Sequence, residues 1–392
     1  MSTTVRVAPQ LDTPVRAVDR GQQVWLAALA IVALGVPFVF NASAIMADAQ
    51  FGDPYLFLKK HLVRALIAAL VCWGVSRVDY RQLHRFSKGI LLVSVLLLSL
   101  VLILPESGFA PVINGARRWL VIPGFGQFQP SEAARIGMVV YLAAALSRKD
   151  RSIRDFGQGL LPTALVCTVL AALVVLGRDL GTTLTLGMLF LVMLFSGGAR
   201  MVHLAGFAGI GAAATWILIR LEPYRIQRLT AFMEPEIHKD SAVGYHIWQS
   251  LIGLASGGWT GVGSGRSRQK LHFLPEPHTD FLFSIVGEEM GFIGAVVLLT
   301  CYGVLGYLGL RAAREARDDF GRYLAIGITS MIVLNAFLHV AVVTALVPTT
   351  GIPMPLFSYG GTSLVVTMAA IGILVNVASQ SQPGGRRWGR VR

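Results

Sequence analysis

Apolar runs long enough to cross a bilayer recur along almost the whole chain, and they leave it few ways to fold. They lie near 23–46, 57–76, 89–104, 131–147, 158–177, 180–197, 201–221, 280–308, 323–347 and 362–379. A membrane-spanning helix needs roughly 17–25 residues. Only "GRDLG", residues 177–181, separates the fifth run from the sixth. The pattern predicts an all-α polytopic membrane protein with about ten transmembrane helices in one membrane domain, residues 23–380. Residues 1–22 and 381–392 form tails, and 222–279 is a large extracytoplasmic loop between the seventh and eighth helices. Composition agrees: 54% of residues are hydrophobic and 14% charged, against about 25% charged in soluble domains. A second, soluble domain has no room.

The net charge of +13 would suit nucleic acid if it were spread over one face, but it is not. Ten crossings that start inside place both tails and the 77–88, 148–155, 198–200 and 311–322 loops in the cytoplasm. Those segments hold 20 of the 34 Lys/Arg and 8 of the 21 Asp/Glu. Nearly all the excess is therefore on one side, as the positive-inside rule expects. The tail "GGRRWGRVR" reads as a topology and lipid-surface anchor. The first apolar run exceeds a signal h-region and lacks a clean cleavage site, so it is expected to stay as the first helix. Cys72, Cys167 and Cys301 all lie within apolar runs without CxxC spacing, which fits small core residues and no metal or disulfide framework.

Polar residues gather in two long outer loops, 105–130 and 222–279, and at a few helix entrances. Within the second loop, "GYHIWQSLIGLA" suits a short amphipathic helix in the interface. The following "GGWTGVGSGRSRQK" is glycine-rich and ends in cations, a composition that fits a phosphate cradle or a flexible loop. It contains no GxxxxGK[ST] motif. Ser131 and Glu132 begin a helix in the ordinary way, but a cap does not account for Arg135 one turn in. Residues three apart share a face, and an intramembrane Glu132–Arg135 pair is costly enough to suggest a site. Asp179 serves equally well as a helix cap or as a site carboxylate. If 280–308 is helical, Asp280, Ser284 and Glu288 follow i, i+4, i+8 spacing, with Glu288 about 12 Å below Asp280. His278 belongs to no nucleophile motif and reads as structural.

The blocks "NGARRW", "QPSE", "DLGT", "GYHIWQS", "GSGRSRQKLHFLPEPHTDFLFSIVGEEMGFIG" and "PTTGIPMPLFSYGGTS" occur in the order found in the SEDS family. The chain resembles these polytopic glycosyltransferases of shape, elongation, division and sporulation over roughly residues 23–380. The loop before "HTD" is closer to the division and sporulation branch, while "VVTA" leans towards the elongation branch. The resemblance implies ten transmembrane helices in the bacterial inner membrane, both termini cytoplasmic, and polymerisation of lipid II at the outer face. It makes Asp280 the essential acid and matches Glu132 and Asp179 to family acids. Arg135 stands where lysine is usual and Arg178 where proline is common. His339 and Ala345 also depart from the ninth-helix pattern. A class B penicillin-binding transpeptidase and other division proteins are the implied partners, and nucleic acid is not.

Lipid II carries a disaccharide on a prenyl pyrophosphate, so its polymerase must neutralise phosphates and deprotonate an acceptor 4-hydroxyl. Arg117, Arg118, Arg266 and Lys270 are candidates for the first task. Asp280, with its pKa raised by desolvation, is the candidate for the second. A divalent cation, Mg²⁺ or Mn²⁺, could assist the leaving group, although no compact ligand cluster marks its place. Two other functions compete: a lipid II flippase using Glu132, Arg135 and Glu288 as a polar path, and a non-catalytic division scaffold. Ser267 and Lys270 match SxxK, but with no KTG motif the match reads as chance.

Overall fold

The computed structural model describes residues 19–381 except 106, 107, 114, 123–125, 149–152, 240, 272, 273, 275 and 276. Residues 1–18 and 382–392, which include nearly all of the two expected tails, lie outside the described residues. The described elements are α1 (Arg20–Phe51), α2 (Leu56–Ser76), α3 (Arg81–Ile103), β1 (Leu120–Ile122), β2 (Gly126–Phe128), α4 (Pro130–Leu146), α5 (Leu161–Leu176), α6 (Leu180–Ser196), α7 (Met201–Arg220), α8 (Pro223–Met233), α9 (Ala242–Gly257), α10 (Leu282–Arg314), α11 (Asp319–Val343) and α12 (Gly361–Ser379). A π-turn, Phe156–Leu160, leads into α5, and β1 and β2 form a small antiparallel hairpin.

Seven of these helices are long and apolar enough to cross a membrane: α1, α3, α5 with its π-turn, α7, α10, α11 and α12. Three more coincide with predicted runs but differ in character. Lys59, Lys60 and Arg64 interrupt α2, while α4 and α6 have 17 residues each, near the lower limit for a span. The 222–279 segment is more ordered than a loop. It contains α8 and α9, and α9 packs on α10; α9 covers the "GYHIWQSLIGLA" stretch predicted to be helical.

One continuous apolar core joins the helices, with Ile31, Met138, Leu142, Leu189, Tyr302 and Phe357 fully enclosed. α11 packs against α4, α6, α10 and α12, whereas α7 leaves almost its whole surface outward. Cys72 and Cys167 are buried, Cys301 is half-buried, and all three are free. At one end, Tyr80 donates from its hydroxyl to Asp318 (2.7 Å) and from its N–H to Asn376 (3.0 Å), and Asn376 donates to the Ser76 carbonyl (2.8 Å). This end collects the C-termini of α2 and α12 and the N-termini of α3 and α11. The N-termini of α4, α6 and α12 meet at the other end.

The predicted 280–308 helix differs from the observed α10 in two ways. The helix begins at Leu282, leaving Asp280 in the turn before it, and Gly291 (φ 64, ψ −162) breaks it. That backbone conformation is essentially restricted to glycine.

Candidate functional site

The helix ends that meet opposite the Tyr80–Asp318 cluster enclose a cavity of about 640 Å³, within the range typical of ligand sites. Asp280 is at its lip. The turn carrying Asp280 is held by the 347–360 segment: the Tyr359 N–H donates to the His278 carbonyl (3.0 Å). The buried His278 ring packs 5.2 Å from the Tyr359 ring and 4.9 Å from Phe57. Burial pushes the His278 imidazole down to about 4. Gly351, with φ +68, lies so close to Asp280 that an added Cβ would be 3.3 Å from the carboxylate.

Two further acids line the cavity. Glu132, in the first turn of α4, pairs with Arg135, and each residue is only 4% exposed. The structure therefore brings together the pair suggested by their spacing. Asp179 caps α6, accepting the Thr182 N–H (3.1 Å) and O–H (2.8 Å). It also accepts a hydrogen bond from Gln129 (3.1 Å) and faces Arg118 at 3.8 Å. The capping and cavity readings are thus true of the same carboxylate.

Three arginines complete the charge pattern. Of the four basic candidates, Arg118 alone lines this cavity; it also donates to the Arg178 carbonyl. Sequence reasoning missed Arg64 and Arg228. Arg64, on α2, lies 5.0 Å above the Tyr359 ring. Arg228, on α8, donates to the Thr349 carbonyl (3.0 Å) and to the Tyr224 hydroxyl. A cation inside an apolar run was the available signal for Arg64, whereas Arg228 sits in no motif. His246 also lines the cavity, and burial followed by the charge of Arg228 lowers its imidazole pKa.

The other predicted residues point elsewhere. Arg117 donates to the Leu102 carbonyl (3.2 Å), outside the cavity wall. Arg266 is exposed on the glycine-rich turn, and Lys270 reaches the Gly265 carbonyl and lies 3.8 Å from Glu289. Ser284 donates to the Ser250 carbonyl (2.9 Å) in α9, and Glu288 binds residues 267–269. The proposed Asp280–Ser284–Glu288 stripe does not form, because Asp280 precedes the helix and the other two face α9 and the glycine-rich loop. Among the described residues no three His, Cys, Asp or Glu side chains converge as a metal site.

Residues 22–383 match the model of the FtsW, RodA and SpoVE family, described as cell cycle proteins. A probable peptidoglycan glycosyltransferase FtsW of Trichlorobacter lovleyi is 37% identical over 369 residues, covering 94% of this chain and 96% of the relative. Stage V sporulation protein E of Bacillus subtilis is 38% identical over 354 residues, covering 90% and 95%. Among solved structures, a chain of a peptidoglycan synthase complex that coordinates polymerization and crosslinking superposes with TM-score 0.75 at 30% identity, covering 93% of this chain and 98% of that one. The rod shape determining protein RodA of Thermus thermophilus gives TM-score 0.67 at 28% identity, covering 94% and 99%.

Proposed function

The chain belongs to the FtsW, RodA and SpoVE family of cell cycle proteins, and from that premise we propose that it is a peptidoglycan glycosyltransferase. It polymerises lipid II into glycan strands during division or shape maintenance. One observation carries the reading: Asp280 shares a single cavity with Arg64, Arg118 and Arg228. Such a site combines a base with phosphate-binding cations.

The arginine forks suit the two phosphates of the donor. Asp280 takes the proton from the acceptor 4-hydroxyl as that oxygen attacks the donor C1. The C1–O bond to the prenyl pyrophosphate breaks on the opposite face, so the configuration inverts. The departing pyrophosphate carries the bonding pair towards the arginines, which stabilise the charge where it develops. In this reading Glu132, paired with Arg135, and Asp179, capping α6, hold the framework of the cavity. Asp280 is the acid assigned to proton transfer.

In this reading ten helices cross the inner membrane, both termini are cytoplasmic and the cavity opens outside. The likeness to a chain of a polymerising and crosslinking complex supports a transpeptidase partner. The test is polymerisation of lipid II by purified protein, alone and with that partner. Asp280→Asn keeps the side-chain size and removes the base, so the rate should fall about 10²-fold or more with folding retained. A well-folded Asp280→Asn protein that polymerises at the parental rate would end the base assignment. Bilayer exchange of lipid II without polymer would instead identify a carrier.

A further inference from the structure

Glu288 and Glu289 are buried carboxylates that the proposed chemistry does not use. In an unbroken α10, Phe292 and Ile293 would donate their N–H groups to the carbonyls of Glu288 and Glu289. Gly291 breaks both bonds, and buried backbone groups must then find partners elsewhere. The glycine-rich segment supplies them. Val262 N–H donates to the Glu288 carbonyl (2.9 Å) and Gly263 N–H to that of Glu289 (3.1 Å). In return, Phe292 and Ile293 donate to the carbonyls of Gly258 (2.9 Å) and Trp259 (3.2 Å). A Cβ at Gly257 would overlap the Gly287 carbonyl, and one at Gly261 the Glu289 carbonyl. These glycines allow close approach to a broken helix and do not form a phosphate cradle.

The Glu288 side chain adds a second attachment. It is 2% exposed and accepts the Ser267 hydroxyl, the Arg268 N–H (2.9 Å) and the Gln269 N–H (3.4 Å). An ionised carboxylate only accepts hydrogen bonds and makes them roughly twice as strong as neutral ones. In the chain, Asp280 falls between this attachment and Leu282, and it lines the cavity. Tyr359 holds the turn at His278, and Glu288 holds residues 267–269.

We propose that Glu288 is a positioning residue that fixes Asp280 by clamping the base of its loop to the first half of α10. The catalytic part of this inference rests on the reading of Asp280 as the base, but the clamp is measurable without it. Glu288→Gln replaces one acceptor oxygen with an N–H₂ donor facing peptide N–H groups, so it loosens the clamp at nearly constant volume.

The first measurement is turnover of lipid II by full-length Glu288→Gln. We expect kcat to fall about 10- to 100-fold, the scale of a base displaced by up to 1 Å, with KM little changed. The second uses Asp280→Cys in a chain whose three native cysteines are replaced, and follows alkylation of the new thiol by a maleimide. Adding Glu288→Gln should change that rate several-fold while leaving a thiol at Lys239→Cys unaffected. A general folding defect would move both thiols. If Glu288→Gln fails to accumulate, Ser267→Ala removes one of the three bonds and should give smaller changes in the same directions. Unchanged kcat together with unchanged alkylation at position 280, in whichever variant folds, overturns the inference. Parental activity of Asp280→Asn would remove the base assignment, and the alkylation result would still decide whether Glu288 holds the loop.

Discussion

The contact between Gly351 and Asp280 allows a sharp test of how finely the carboxylate is placed. At φ +68, replacing Gly351 with alanine costs about 1–2 kcal/mol of backbone strain. The new Cβ would also stand 3.3 Å from the Asp280 oxygen, closer than ordinary van der Waals contact, so the carboxylate must give by a few tenths of an ångström. If a 1 Å misplacement costs on the order of 10²-fold, a few tenths should cost about 3- to 10-fold in turnover.

Gly52 separates the two effects. Its φ of 70 nearly equals that of Gly351, yet no atom lies within 4 Å of where its Cβ would be. Gly52→Ala and Gly351→Ala should therefore lower the melting temperature in detergent by similar amounts, while only Gly351→Ala slows polymerisation of lipid II. Equal activity in the two variants, whether both parental or both reduced, would refute the idea that the Gly351 contact places the base.

Glu132→Gln strands Arg135 in the protein interior, where breaking a buried pair costs about 3–5 kcal/mol; the double variant Glu132→Gln/Arg135→Gln should recover protein yield, measured by fluorescence-detected size exclusion. Lys239→Cys should react with an impermeant thiol reagent outside intact cells and Arg317→Cys should not, in a background without native cysteines; the reverse pattern would invert the proposed topology. His278 has a folded pKa of about 4 against an ordinary 6.5, so the unfolded chain binds its proton first as pH falls. Its stabilisation is full above about 6.5 and declines towards 4, by about 3 kcal/mol in all, and thermal melts of His278→Gln should lack that part of the acid slope.

The helical architecture could be read from the sequence because burial in lipid is written as run length. The failures are equally physical. The break at Gly291 was hidden because a glycine inside an apolar run looks like ordinary small-residue packing, and its bonding partners lie some thirty positions earlier in the chain. The Glu132–Arg135 pair is legible from its spacing, whereas Asp179 reads equally as cap or site carboxylate and Asp280 is marked as essential chiefly by the family resemblance. Arg266 and Lys270 were misplaced because glycines followed by cations have the same composition whether they hold phosphate or fill a helix break. Arg228 could not be found by pattern, since its place depends on how α8 folds back over the 347–350 turn.

The three helices that fall short of ordinary membrane spans each place a charged residue at the cavity. α2 brings Arg64, α4 brings Glu132, and α6 begins at Asp179, whereas α3 and α7 contribute none of the lining. Lipid penalises an exposed charge, and α4, which carries the Glu132–Arg135 pair, is buried on nearly every side. The direction of these helices matters too. α4, α6 and α12 all turn their N-termini towards the cavity, where helix dipoles favour negative charge. Asp179 answers that field at α6. At α4 and α12 the capping positions, Gln129 and Gly360, make no side-chain cap, and Glu132 already occupies the first turn of α4. The start of α12 lies beside Arg64 and carries no acid in its first turn. In the proposed reaction a pyrophosphate bound there would meet the α12 amides and the Arg64 guanidinium together.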